Sequence, residues 1–258
     1  MHWVGDPIVG HDVGMGVDDG DRAHHGDVTR DHEATSEATR QTTQCDYIAA
    51  VPAFAADIIQ RSWDLAVRHG SIRKGTRKAD RFARFGAGSI MMFPTTALMG
   101  EQRIEIGSDT HVGPLATLST GMPTTAHLTG PPILTVGDRC LLGKGIGIVA
   151  HERIVIGDDV FTGHFVYITD QNHGYEDLQQ PIGMQMWTNA PVSIGAGSWL
   201  GHGSVVLPGT TIGRHTVVAA GAVVSGEFPD HAVLAGVPAR LVRRHDGQNW
   251  MRVPRPPT

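Results

Sequence analysis

Residues 169–183, TDQNHGYEDLQQPIG, bring Asp170, Asn172 and His173 together where an otherwise regular six-residue rhythm breaks off, over residues 170–191. A neutral imidazole accepts a proton near pH 7, and a base positioned on a reacting group contributes ~10²–10⁴-fold in rate. Asp170 or Asn172 could orient the ring or an acceptor by hydrogen bonding. A loop histidine by itself is an ordinary surface residue. What sets His173 apart is its place in the long break of a regular scaffold, where reactive groups must be added through loops.

The rhythm that the break interrupts runs from residue 104 onward. Its members are Ile106, Val112, Leu118; Val136, Leu142, Ile148; Ile156, Thr162, Ile168; Ile194, Leu200, Val206; and Ile212, Val218, Val224. All but Thr162 are aliphatic, and glycine follows at 107, 113, 137, 143, 157, 163, 195, 201 and 213. A second small or β-branched residue precedes many of them by two, as at Thr110, Cys140, Val160, Ser198, Ser204 and Ala222. A period of six fits neither a helix nor a strand and is the signature of a solenoid. Three hexapeptides per coil predict a triangular prism of three short parallel sheets, with the aliphatic inside. The glycine after it is expected to supply the positive φ of a tight corner. The interruptions at 120–133, 149–153 and 170–191 each follow a third hexapeptide, so all three are expected along one edge. Cys140 falls at an inward position and is not expected to serve as a nucleophile. Direct transfer with a backbone oxyanion donor is then the simpler scheme.

The repeat pattern, with the strings TDQNHGY, PVSIGAGSWLG, VVLPGTTIG and VVAAGAVVSGEFPDHAVLAGVPARLVRR, resembles the hexapeptide-repeat acyltransferases over residues 85–244. Within that group it is most similar to the galactoside, maltose and polysaccharide O-acetyltransferase branch. The resemblance implies an all-β solenoid, a left-handed parallel β-helix; general chirality rules would not have predicted that hand. It also implies His173 as general base and acetyl-CoA as acyl donor, with no metal. Trp199 would pack on the pantetheine arm, with Gly201, His202 and Ala220 at the coil corners it passes. Ser225 would contact the nucleotide end, and Arg240 and Arg243 the phosphates, which suit the planar arginine fork. Galactoside-type enzymes hold the acceptor through an Asn on the preceding coil; the equivalent here lies near Gly145, so His151 and Glu152 could replace it. A homotrimer with the site between neighbouring prisms follows from the same resemblance.

Outside the repeat, residues 1–44 carry nine acidic and three basic residues, leaving about +1 of the net −5 for the rest. That segment lacks apolar periodicity and is expected to be a disordered tail. Residues 45–84 are expected to form an amphipathic helix over 53–69 and a basic linker, 85–225 the β-helix, and 226–258 a C-terminal extension. Phe54, Ile58, Ile59, Trp63, Leu65 and Ala66 give the helix an apolar side. Arg61, Arg68, Arg73, Lys74, Arg77, Lys78, Arg81 and Arg84 follow, which suits peripheral association with an anionic membrane through 53–84. Two cysteines make no disulfide framework, and no apolar run spans a bilayer, so a cytoplasmic protein is expected, with peripheral contact at the inner membrane face as the alternative. The charge balance does not suit nucleic acid. A small-molecule or glycan hydroxyl is the expected acceptor, with an amino-sugar nitrogen as the alternative. A carbonic anhydrase-like metal enzyme needs two histidines five residues apart, a spacing absent here. A non-catalytic scaffold would not need His173, Trp199, Arg240 and Arg243 together.

Overall fold

The computed structural model describes residues 52–121, 130–185 and 188–254, so the tail expected over 1–44 lies outside the described residues. The chain divides into two units, Met1–Ala53 and Phe54–Thr258, and the account below concerns the second.

Three sheets wrap around a shared core. Sheet I collects seven strands, from Arg84–Phe85 through Ile104–Ile106, Leu134–Val136, Ile154–Ile156, Val192–Ile194 and Thr211–Ile212 to Glu227–Phe228. Sheet II runs through Ile90–Met91, His111–Val112, Leu141–Leu142, Phe161–Thr162, Trp199–Leu200, Val217–Val218 and Ala232–Gly236. Sheet III holds Ala97–Met99, Thr117–Thr120, Gly147–Ala150, Tyr167–Thr169, Val205–Val206 and Val223–Val224. The chain visits I, II and III in turn, one strand each, and the pairing between successive coils is parallel. In sheet III, Leu118, Ile148, Ile168, Val206 and Val224 stand in one register row.

All fifteen members of the six-residue rhythm are at most 1% exposed. Burying each such aliphatic is worth about 1.5–3 kcal/mol, and their stacking makes one continuous core along the prism. The exception, Thr162, is satisfied inside: its Oγ1 accepts the Gly143 N–H at 2.8 Å. The second inward position is handled similarly, with the Thr110 hydroxyl donating to the Gly137 carbonyl at 2.7 Å and accepting the Cys140 N–H at 3.0 Å.

The corner glycines correct one expectation. Positive φ does not occur at the glycine after the inward aliphatic but three residues after it, at Asp109, Leu115, Arg139, Gly145, Asp159, Phe165, Gly197, Gly203 and His215 among others. The glycine next to the aliphatic answers to a different constraint. A Cβ at Gly143 would fall on the carbonyl of Gly163 in the next coil, and one at Gly107 on the backbone of Gly137. These glycines let successive coils stack at strand spacing.

The coil begins earlier and ends later than its clearest sequence rhythm. A first coil is formed by 84–85, 90–91 and 97–99, and beyond 225 the strands Glu227–Phe228 and Ala232–Gly236 still pair in parallel with sheets I and II. Sheet II is then extended by antiparallel strands Ala239–His245 and Trp250–Arg252. At the other end helix α1 (Ala53–Gly70) touches the solenoid through Trp63, whose ring lies 6.0 Å from that of Phe93. Ser71 secures its end: Oγ donates to the Val67 carbonyl at 2.8 Å and accepts the Phe93 N–H at 3.2 Å. No residue of α1 is buried, and Phe54, Ile58, Ile59 and Leu65 stand exposed. No described helix is long and apolar enough to cross a membrane.

Candidate active site

The described ends of the three interruptions leave sheet III and enter sheet I on one edge, as their spacing predicts. The longest is built rather than slack. Gln171–Asn172 and Thr188–Asn189 pair as a two-stranded antiparallel ribbon, and the Ala190 N–H donates to the Asp170 carbonyl at 2.8 Å. His173 follows the first ribbon strand directly and is exposed, as is Asn172. Farther out, buried Gln185 ties the loop together, accepting the Asp177 N–H at 3.1 Å and donating to the Asp177 carbonyl at 2.9 Å.

Asp170, at the root of the ribbon, is turned inward. It is 0% exposed. Its Oδ1 accepts the His151 N–H and its Oδ2 the Glu152 and Arg153 N–H groups, all at 2.8 Å. The carboxylate clamps the 151–153 turn of the preceding coil to the root of the ribbon. His151 is part of the same edge. Its Nε2 lies 3.2 Å from the Gly121 carbonyl, to which the neutral Nε2–H tautomer donates. Burial lowers its pKa below the usual imidazole value, opposed by the Asp170 charge. Glu152 beside it is exposed.

The residues assigned to the cofactor lie elsewhere on the prism. Trp199 is half-exposed on the outer side of sheet II, stacked on Phe161 at 6.3 Å and 25°. Gly201 and His202 turn the corner from sheet II to sheet III, and Ala220 occupies the same corner one coil on. The coils are joined there by the Gly201 N–H to the Val218 carbonyl at 2.7 Å and the Gly221 N–H to the His202 carbonyl at 2.8 Å. His202 packs edge-on against Phe165 at 5.7 Å and His164 at 6.2 Å. Phe165 also explains Gly145, since a Cβ there would meet the Phe165 ring at 2.5 Å. Beside it, a cavity of about 240 Å³ is lined mainly by apolar atoms of Leu141, Phe161 and Pro114, with His111, Lys144 and His164 at its rim.

Ser225 sits past the last sheet III strand, on the same edge as the interruptions. Arg240 and Arg243 belong to the antiparallel strand Ala239–His245 and are exposed. In a regular strand a spacing of three puts two residues on opposite faces. Here a register shift between Val233 and Leu234 leaves Val242 extra, so Arg240 pairs with Ala235 and Arg243 with Val233 on the same side. Arg243 thereby joins a row that runs Trp199, Val217, Val233, Arg243 across sheet II.

The described structure thus gathers Asp170, Asn172, His173, His151 and Glu152 on one edge, with Ser225 farther along it. Trp199, Gly201, His202 and Ala220 lie on sheet II and the corner beyond, on the other side of sheet III. Cys140 is buried, and burial raises its thiol pKa, which suits a core residue. Phe161 went unnoticed in the sequence although it precedes Thr162 as Trp199 precedes Leu200, in the same place of the repeat. No group of three metal-ligating side chains occurs among the described residues.

Comparison with known proteins identifies the repeat. Residues 191–226 match the family described as bacterial transferase hexapeptide (six repeats). An Escherichia coli K12 protein named as a lipopolysaccharide biosynthesis O-acetyl transferase, WbbJ, is 34% identical over 141 residues, 51% of this chain and 72% of its own length. A Mycobacterium tuberculosis protein named as an acetyltransferase is 37% identical over 141 residues, though the match spans only 44% of that longer protein. Galactoside O-acetyltransferase of Escherichia coli is 34% identical over 121 residues, 58% of its length. The chain belongs to the hexapeptide-repeat transferase family. Its fold, the left-handed parallel β-helix, is shared with AntD, an N-acyltransferase from Bacillus cereus crystallised with dTDP and coenzyme A. That structure has a TM-score of 0.55 at 14% identity and covers 67% of this chain and 90% of AntD.

Proposed function

We propose that the chain is an acetyl-CoA-dependent O-acetyltransferase acting on a sugar or glycan hydroxyl, with His173 as general base. The observation that carries this reading is the construction of the 170–191 loop. A ribbon and a buried carboxylate clamp hold the root of the segment that bears an exposed histidine. Such a root limits the motion of the base and favours a defined attack geometry.

An unprotonated His173 nitrogen takes the proton of the acceptor hydroxyl as its oxygen attacks the thioester carbonyl carbon. The tetrahedral intermediate then collapses, the C–S bond breaks, and the imidazolium returns the proton to the CoA sulfur. Asn172, next to the histidine in the chain, and Glu152 on the same edge are exposed and available to the acceptor, while Asp170 holds the turn of Glu152 to the root of the ribbon. Trp199 with Phe161 offers the pantetheine arm an apolar platform, the main chain at Gly201, His202 and Ala220 approaches its amides, Ser225 meets the nucleotide end, and Arg240 and Arg243 the phosphates.

His173 and Trp199 lie on opposite sides of sheet III of one chain, so the reading requires a second copy to complete each site. A homotrimer with sites in the grooves between prisms satisfies this. The exposed apolar surface of α1 and its basic flank fit an anionic membrane surface. Flotation with phosphatidylglycerol vesicles should recover the protein, and Ile58→Asp should leave it in the unbound fraction. Binding to neutral vesicles alone would contradict the electrostatic part. The substrate class is tested by thiol release from acetyl-CoA across a panel of sugars and amino sugars; turnover with amines only would replace the hydroxyl reading.

A further inference from the structure

We infer that Arg252, on the outermost strand of sheet II, binds the 3′-phosphate of the coenzyme and makes the enzyme discriminate CoA thioesters from their 3′-dephospho counterparts. This rests on the acetyl-CoA reading above.

The register row that contains Trp199 does not stop at Arg243. The strand Trp250–Arg252 pairs antiparallel with Ala239–His245 and sets Arg252 directly opposite Arg243. Like charges directly opposite on one face of a pair are destabilising. Among the described residues neither arginine has an acidic partner. Asp246, the acid nearest in sequence, turns to its own loop, accepting the Gln248 and Asn249 N–H groups at 2.8 Å each. Those bonds hold its carboxyl below the usual carboxylate range. Two arginines set opposite each other in register, without an acidic partner among the described residues, are an arrangement that a multiply charged anion relieves.

The pair also has a place for such an anion. Arg243 and Arg252 line one cavity of about 550 Å³ together with Val242, Val253 and Pro254. Arg240 lines an adjoining cavity of about 390 Å³ that shares Val242, Val253 and Pro254. The strand that carries Arg252 is fixed on both sides of it. The Val253 N–H donates to the Val242 carbonyl at 3.0 Å, and the Trp250 ring packs edge-on to His245 at 5.4 Å.

Order along the row selects the phosphate. From Trp199 the strands succeed one another at about 4.8 Å, so Arg243 lies roughly 14 Å and Arg252 roughly 19 Å along the sheet. In a CoA thioester the pyrophosphate lies between the pantetheine arm and the ribose, and the 3′-phosphate lies beyond it on the ribose. With the pantetheine at Trp199, Arg243 meets the nearer phosphates and Arg252 the farther one.

The test is calorimetric titration of CoA and 3′-dephospho-CoA into the wild-type protein, Arg252→Gln and Arg243→Gln. The wild type should bind CoA at least about tenfold tighter than dephospho-CoA, the loss expected for one charged hydrogen-bonding group. Arg252→Gln should remove most of that difference by weakening CoA alone, Arg252→Lys should restore part of it, and Arg243→Gln should weaken both ligands. Equal effects of Arg252→Gln on the two ligands, or none on either, would overturn the assignment while leaving the acetyl-CoA reading intact. A wild type that binds neither ligand would overturn both.

Discussion

Asp170 and Glu152 are joined across two coils, the buried carboxylate of the one accepting the backbone N–H of the other at 2.8 Å. With His151 and Arg153 the same side chain takes three N–H groups. It fixes the turn that carries His151 and Glu152 to the residue from which the His173 ribbon departs. Asp170→Ala leaves these donors without a charged acceptor, a loss of about 2–4 kcal/mol. Urea unfolding should show that loss, and Asp170→Asn, which keeps one acceptor oxygen, should show less of it. Both variants should lower turnover more than acetyl-CoA affinity. Unchanged stability in Asp170→Ala would show that the clamp holds nothing.

His151 gives the protein an acid-sensitive edge. Burial depresses its folded-state pKa below the value of 6.5 expected when unfolded, with Asp170 opposing the shift. The unfolded chain therefore binds the proton more readily. The stability that this difference contributes is complete above about pH 6.5 and is lost as pH falls through the folded value. Thermal midpoints from pH 8 to pH 5 should fall more steeply in the wild type than in His151→Gln. Parallel curves would contradict the shift.

The separation of His173 from Trp199 across sheet III makes a genetic prediction. In the proposed homotrimer, His173→Ala and Trp199→Ala should each impair activity. Co-expression should form mixed trimers in which some grooves hold both wild-type side chains, and thiol-release activity should reappear. Its absence in verified mixed trimers would mean that each site draws both residues from one chain.

Much of this architecture was legible because a hexapeptide solenoid repeats one constraint many times. Every sixth residue faces the core, so Ile106, Val136, Ile156, Ile194 and Ile212 announce one stacked row before any coordinates are seen. The role of the neighbouring glycines was not legible. A composition rule cannot distinguish a residue that needs positive φ from one whose Cβ would strike the next coil, as at Gly143. The clamp made by Asp170 was not legible for a related reason. A carboxylate three residues before a histidine looks the same in sequence whether it points outward or, as here, inward to partners 17 to 19 residues away. The same-side placement of Arg240 and Arg243 depends on an extra residue at Val242 that no period announces. Phe161 could have been found by asking which residues precede the inward member of each coil on sheet II.

The most direct measurement is thiol release from acetyl-CoA by the wild type and His173→Ala with an acceptor that supports wild-type turnover. The variant should lose about 10²–10⁴-fold in turnover while binding acetyl-CoA as tightly as the wild type. A variant that turns over like the wild type would show that His173 is not the base and that the loop at 170–191 serves another purpose.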